Sequence, residues 1–205
     1  MITESMLDAL REEMKARLSE SRYRHTLGVE KQMRELAALL CPDRMTEAAA
    51  VALLHDCTKF IPMEEQIAYC EQNGIPVTDE ERASPPIMHA KTGAHFARTH
   101  YSALVTDEMI CAIEQHTTAD ENMGLLSRML CLSDYIEEGR AYEDCRMLRA
   151  MFYRLLSEEN ALCAVNKTLL CALEMTVEEL IRDGRHIAER TVRARNALLV
   201  ETRKN

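Results

Sequence analysis

The residues of this chain best suited to chemistry are its seven histidines, at 25, 55, 89, 95, 100, 116 and 186, and the carboxylates that accompany some of them. The pair His55-Asp56 stands out first. It ends the apolar run AAAVALLHDCTK, which delivers an imidazole and a carboxylate together to the inner end of a buried helix. Polar groups buried there are costly unless something satisfies them; a hydrogen bond within the pair would do so, and so would a metal ion. Two more residues widen the set: His25 lies near the start of an earlier helical stretch, and Asp134 lies among apolar positions in MLCLSDYIEEGR. Two imidazoles and two carboxylates make an N/O ligand set suited to Fe, Mn, Zn or a related divalent ion. Such an ion lowers the pKa of bound water from 15.7 to about 7, so the corresponding chemistry is hydrolysis at neutral pH.

Helices must carry these residues. Only six Gly and five Pro occur in 205 residues, and Leu, Ala, Glu, Met and Arg dominate, a composition of long helices with short connections. Apolar spacing predicts helices near 3–19, 22–40, 45–57, 63–73, 85–100, 106–117, 122–138, 142–156, 158–174 and 177–200. Breaks fall at Cys41-Pro42-Asp43, Asn73-Gly74-Ile75-Pro76 and Ser84-Pro85-Pro86, and the pairs Thr78/Glu81 and Thr176/Glu179 match the capping-box pattern. No strand pattern, repeat or low-complexity tract competes. The length suits a single domain, 1–205, with a helical extension from about residue 140 that contains none of the candidate metal ligands.

The ordering H…HD…D is the signature of the HD-domain superfamily, and the resemblance goes further. RYRHTLGVE at 22–30, LLHDCTK at 53–59, MHAKTGA at 88–94, IEQHTTA at 113–119, LSDYIEEGR at 132–140 and the tail TVRARNALL at 191–199 resemble the successive motifs of YqeK-type symmetrical dinucleoside tetraphosphatases. The resemblance implies an all-α HD-domain helical bundle that cuts diadenosine tetraphosphate to two ADP with iron or a similar divalent ion (Mn, Co, Ni or Zn). It also implies that His25, His55, Asp56 and Asp134 hold a first ion, and that His89 and His116 hold a second bridged by Asp56. The chain departs from the family pattern at Ala119, where Gly is common after HTT, and at Glu138, where Pro is common; both positions bear on loop shape rather than on ligands.

Around these ligands, Lys59 lies one helical turn after His55 and is a candidate for catalysis and for phosphate contact, with a salt bridge to a nearby carboxylate as its other reading. Arg22 and Arg195 are phosphate candidates by motif position, or exposed ion pairs. Thr117 and Thr118 either orient a water or phosphate through their hydroxyls or end their helix. His95 and His100 belong to no motif and read as structural or solvent-facing.

The rest of the composition excludes more than it selects. A net charge of −9 and the lack of basic-aromatic alternation argue against a nucleic-acid partner. No window of about 18 apolar residues spans a membrane, and the amphipathic start MITESMLDALREEMKARL is no signal peptide. Eight dispersed cysteines without a CxxC pair read as reduced thiols, so the expectation is a cytoplasmic protein. Two other readings stand beside the tetraphosphatase: an HD phosphohydrolase of another nucleotide, and a non-catalytic module that binds metal or nucleotide. Residues 142–174, rich in Met, Leu and Cys, are core or a homodimer face.

Overall fold

The computed structural model describes residues 2–204. Eleven α-helices make up the fold, and no strand occurs among the described residues. The first two, α1 (Glu4–Arg17) and α2 (Glu20–Leu40), start at Thr3 and Ser19, whose hydroxyls accept from the backbone N–H of Met6 and Arg22. Such caps satisfy donors that the first helical turn leaves free. One face of α2, through Val29, Met33, Leu36 and Ala37, is buried at helical spacing.

That face packs on α3 (Met45–Leu54), the central helix, whose residues Ala48 through Leu54 are all fully buried. A helix apolar on every side can only sit inside, so α1, α2, α7 and α8 surround it. The helix stops at Leu54, three residues before the sequence expectation, and His55 and Asp56 occupy the tight turn beyond it. The turn is fixed by a buried polar network. Thr58 Oγ1 bonds the carbonyl of His89 (3.1 Å) and the Thr92 hydroxyl (2.9 Å), and Gln66 Nε2 donates to the carbonyls of Thr58 and Ile61 at 3.0 and 2.9 Å. Gly93 permits the approach: a Cβ there would lie 3.3 Å from the carbonyl oxygen of His55.

Next come α4 (Gln66–Gln72), a short α5 (Asp79–Ala83) that the periodicity did not reveal, α6 (Met88–His100) and α7 (Asp107–Gln115). The Thr78/Glu81 capping box forms as expected. The chain continues through α8 (Leu125–Ile136), α9 (Glu143–Glu158), α10 (Ala161–Arg182) and α11 (Glu189–Thr202).

The expected break at Thr176 is a correction. α10 runs unbroken through it, with the Thr176 hydroxyl bonded to the Ala172 carbonyl (2.9 Å) and to Tyr135 Oη (2.7 Å). Nothing around 175–177 stops a helix, whereas Gly184 at φ +62° supplies the left-handed residue that ends one. Leu169 and Leu173 of α10 and Ala194 and Leu198 of α11 form a second apolar cluster with Ala119, Met123 and Cys131.

Of the Met-rich stretch, Cys145, Leu148, Phe152 and Leu155 are core, while Met147 and Tyr153 are exposed. All eight cysteines are free thiols. No described helix is long and apolar enough to cross a membrane.

Candidate metal centre

Four histidines and two aspartates converge from five places in the chain. His25 comes from the second turn of α2, His55-Asp56 from the turn after α3, His89 from the first turn of α6, His116 from the end of α7 and Asp134 from α8. Ligand atoms of His25, His55 and Asp134 lie within 4.8 Å of one another, as do those of His55, Asp56 and His116. Asp56 Oδ1 is 3.5 Å from His89 Nε2 and 3.8 Å from His116 Nε2, so this carboxylate joins the two groups.

The tautomers follow from the backbone. Nδ1 of His55, His89 and His116 lies 2.6, 2.8 and 2.7 Å from the carbonyl oxygens of Ala52, Pro86 and Ile113, each three residues earlier. A carbonyl only accepts, so each Nδ1 carries the proton and each Nε2 turns a lone pair inward. His89 and His116 Nε2 then face one another at 3.1 Å, and the single hydroxyl of Thr117, 3.0 and 3.1 Å from the two, can donate to only one. Asp56 Oδ1 and His55 Nε2 are buried without hydrogen-bond partners, and His25 Nε2 faces Asp134 Oδ1 at 2.9 Å. Facing lone pairs beside an orphaned carboxylate oxygen need a cation, and a neutral imidazole oriented through Nδ1 is the usual form of a metal-bound histidine. The residues fit a divalent metal.

Electrostatics sharpen this. Burial pushes His89 down to about 3 and His116 down to about 4 against the pull of Asp56, which keeps both rings neutral and able to ligate. Asp56 is held well below the usual carboxylate range although burial opposes it, through His55, His89 and Lys59. At the other end, burial works against a charged His25, but Asp134 and Glu137 outweigh it and raise its pKa to about 9.

Glu137 is one residue that sequence reasoning missed. Its Oε1 lies 3.1 Å from His25 Nδ1, its Oε2 accepts from Gly139 N–H at 2.6 Å, and it is almost fully buried. A methyl at Gly28 would collide with that carboxylate, and a Cβ at Gly139 would come within 2.9 Å of it. Arg149 clamps the loop by donating to the carbonyls of Ile136, Glu137 and Arg140. The signal was in the sequence as Glu137 and Gly139 of EEGR, but nothing local says that the carboxylate turns back toward His25.

Cations gather at the mouth. Arg22 donates to Asp56 Oδ2 at 2.9 Å with its side chain about a third exposed (36%), and Arg140, also missed, donates to Asp134 Oδ1 at 2.5 Å. Lys59 is exposed and makes no ion pair among the described residues, yet protein around its ammonium lowers its pKa against the pull of Asp56. Thr117 points its hydroxyl at the histidine pair, whereas Thr118 Oγ1 bonds the Ala119 carbonyl.

Arg195 is not brought to the site. Its guanidinium pairs with Glu174 on the α10–α11 face, so its exposed-ion-pair reading describes it. His95 and His100 also lie apart, His95 against Tyr69 Oη at 3.0 Å and His100 stacked on Phe96 at 3.9 Å.

The HD-domain family model matches residues 22–139, more than half of the chain and every ligand candidate. The chain belongs to the HD-domain family. A solved HD protein, described as a predicted HD superfamily hydrolase involved in NAD metabolism from Clostridium acetobutylicum, superposes with a TM-score of 0.83 at 30% identity over 95% of this chain and 97% of that one. Two curated relatives bear the name symmetrical bis(5'-nucleosyl)-tetraphosphatase. The one from Halalkalibacterium halodurans is 28% identical over 92% of this chain and 94% of its own length. The one from Bacillus subtilis is 32% identical over 63% and 68%. This HD protein is therefore an all-α metal-dependent phosphohydrolase of the family that includes those relatives.

Proposed function

We propose that this HD protein hydrolyses dinucleoside tetraphosphates symmetrically, diadenosine tetraphosphate giving two ADP, in the cytoplasm and with iron as the bound metal. The observation that carries the reading is the near full-length similarity to a relative named for this activity. The arrangement of charge supports it. His25, His55, Asp56 and Asp134 would hold one ion, and Asp56, His89 and His116 a second. A divalent ion there supplies Lewis acidity toward phosphoryl oxygens and a source of hydroxide at neutral pH.

The chain's own residues do the rest. Arg22, Lys59 and Arg140 form a cationic rim on a protein of net charge −9, which draws a polyphosphate to this one place. Lys59, free of any ion pair among the described residues, contacts a phosphoryl oxygen where negative charge grows during the reaction. Arg22 fixes the Asp56 carboxylate so that its other oxygen stays turned to the histidines. The Thr117 hydroxyl orients a water or phosphate oxygen beside His89 and His116. Closely spaced, preoriented groups of this kind lower the barrier without reorganisation at the moment of reaction.

The test is product analysis of diadenosine tetraphosphate with iron- or manganese-loaded protein, with His55→Ala and Asp56→Ala as controls. Two ADP from the wild type and none from the controls supports the reading. AMP plus ATP would overturn symmetrical cleavage, and turnover confined to another nucleotide would overturn the substrate.

A further inference from the structure

On the functional reading above, the His/Asp cluster takes the phosphates, which are common to every nucleotide, so the part of the substrate that is not phosphate must be read elsewhere. A cleft of about 540 Å³ opens beside the His89 and His116 end of the cluster, within the size range of small-molecule sites. Its near wall is built from the segments that hold those two histidines. Pro86, whose carbonyl fixes His89 Nδ1, lines it together with Ile87, and so does Thr117, whose hydroxyl touches both Nε2 atoms. A ligand with a phosphate at the histidine pair therefore has this cleft immediately beside it.

The far wall comes from the end of α10 and the loop to α11, with Leu180 and Arg185 facing the cleft. This wall lies beyond the residues that match the HD family model, yet it is tied to the near side at three points. His186 Nδ1 lies 3.2 Å from Ser84 Oγ, the Glu189 N–H donates to Glu80 at 2.5 Å, and Thr191 Oγ1 donates to the Thr118 carbonyl at 2.8 Å. Gly184, at φ +62°, makes the turn that brings Arg185 round. Arg185 is exposed and has no ion pair among the described residues. The cleft thus joins half-buried apolar walls at Ile87 and Leu180 to a free cation, the combination that suits a flat, weakly polar base carried on a phosphate.

We propose that this cleft is the subsite for one nucleoside of the substrate, with Ile87 and Leu180 against the base and Arg185 as its cation. The C-terminal helices then decide which phosphate compound is bound, and the HD core carries out the hydrolysis. The assignment rests on the nucleotide reading above but not on the site of cleavage, because binding alone tests it. Calorimetric titration of manganese-loaded wild type should give ADP at least tenfold tighter than inorganic pyrophosphate. In the double variant Ile87→Ala/Leu180→Ala, checked for folding by thermal melting, that preference should fall at least fivefold. Equal affinity for the two ligands in the wild type, or an unchanged preference in the folded double variant, overturns the proposal. If the double variant does not fold, Arg185→Ala decides: its exposed side chain can go without unfolding, and ADP binding weakened threefold or more supports the assignment, while unchanged binding overturns it. Failure to cleave diadenosine tetraphosphate would sink the functional reading and leave these titrations fully interpretable.

Discussion

Glu137 holds the Nδ1 atom of His25 at 3.1 Å across a sequence separation of 112 residues, so a carboxylate orients this candidate ligand ring from behind. The other three candidate ligand histidines are oriented by neutral backbone carbonyls. A carboxylate behind an imidazole makes it a stronger donor to metal, so the two ends of the cluster are chemically unequal.

Replacing Glu137 with Gln keeps the shape and removes the charge. We expect metal affinity to fall about 10- to 100-fold, read by chelator competition and metal content. Gly28→Ala should reproduce the loss, because its methyl occupies the carboxylate's place. Unaltered metal affinity in both variants would remove Glu137 from the site.

Lys59, the leading phosphate candidate in sequence, and Arg195, a weaker one, should separate in kinetics. Lys59→Met should lower kcat/KM on diadenosine tetraphosphate roughly 100-fold, the size of losing one charge-stabilising donor. Arg195→Ala, which breaks only a pair with Glu174 on another face, should stay within about twofold of wild type. Comparable losses in the two would mean that Arg195 reaches the substrate.

Ala119 sits at φ +59° and is buried. Its N–H bonds the Gln115 carbonyl at 2.7 Å, ending the helical turn that presents His116 and Thr117. The left-handed conformation costs about 1–2 kcal/mol for a residue with a Cβ, and the buried methyl returns about 0.8 kcal/mol. Ala119→Gly should accordingly change stability by less than about 1 kcal/mol. Ala119→Val should cost about 3 kcal/mol or more through a β-branched strain and overpacking. Urea midpoints of the two variants test this directly.

The Glu81–Lys91 pair, at 2.7 Å, ties α5 to the helix that starts beside His89. Burial opposes ionisation of Glu81, but Lys91 and the Thr78 backbone and side chain outweigh it and leave its pKa lowered. A carboxyl with a folded pKa below its unfolded value binds fewer protons when folded. Its contribution is therefore complete above the unfolded value of 4.5 and is lost as the pH falls through the folded one. Glu81→Gln should melt several degrees below wild type at pH 7, with the gap closing toward pH 3. A gap independent of pH would show that the charge plays no part.

The sequence by itself determined most of the helices and the candidate ligand set. Low Gly and Pro, apolar periodicity and a cap such as Thr78 act over a few residues, so a linear reading captures them. Ordered motifs identified the HD family for the same reason: the ligands are spaced along the chain by the helices that carry them. Tertiary structure decided what depends on side chains meeting across that chain. Only packing shows that Glu137 turns back to His25, that Arg140 meets Asp134 and that Arg195 is spent on Glu174. It also carried α10 through Thr176, where a local capping pattern gave way to a bond with Tyr135 from another helix. Local rules specify where a helix can begin, whereas burial and distant hydrogen bonds decide whether it ends and which charge finds which partner.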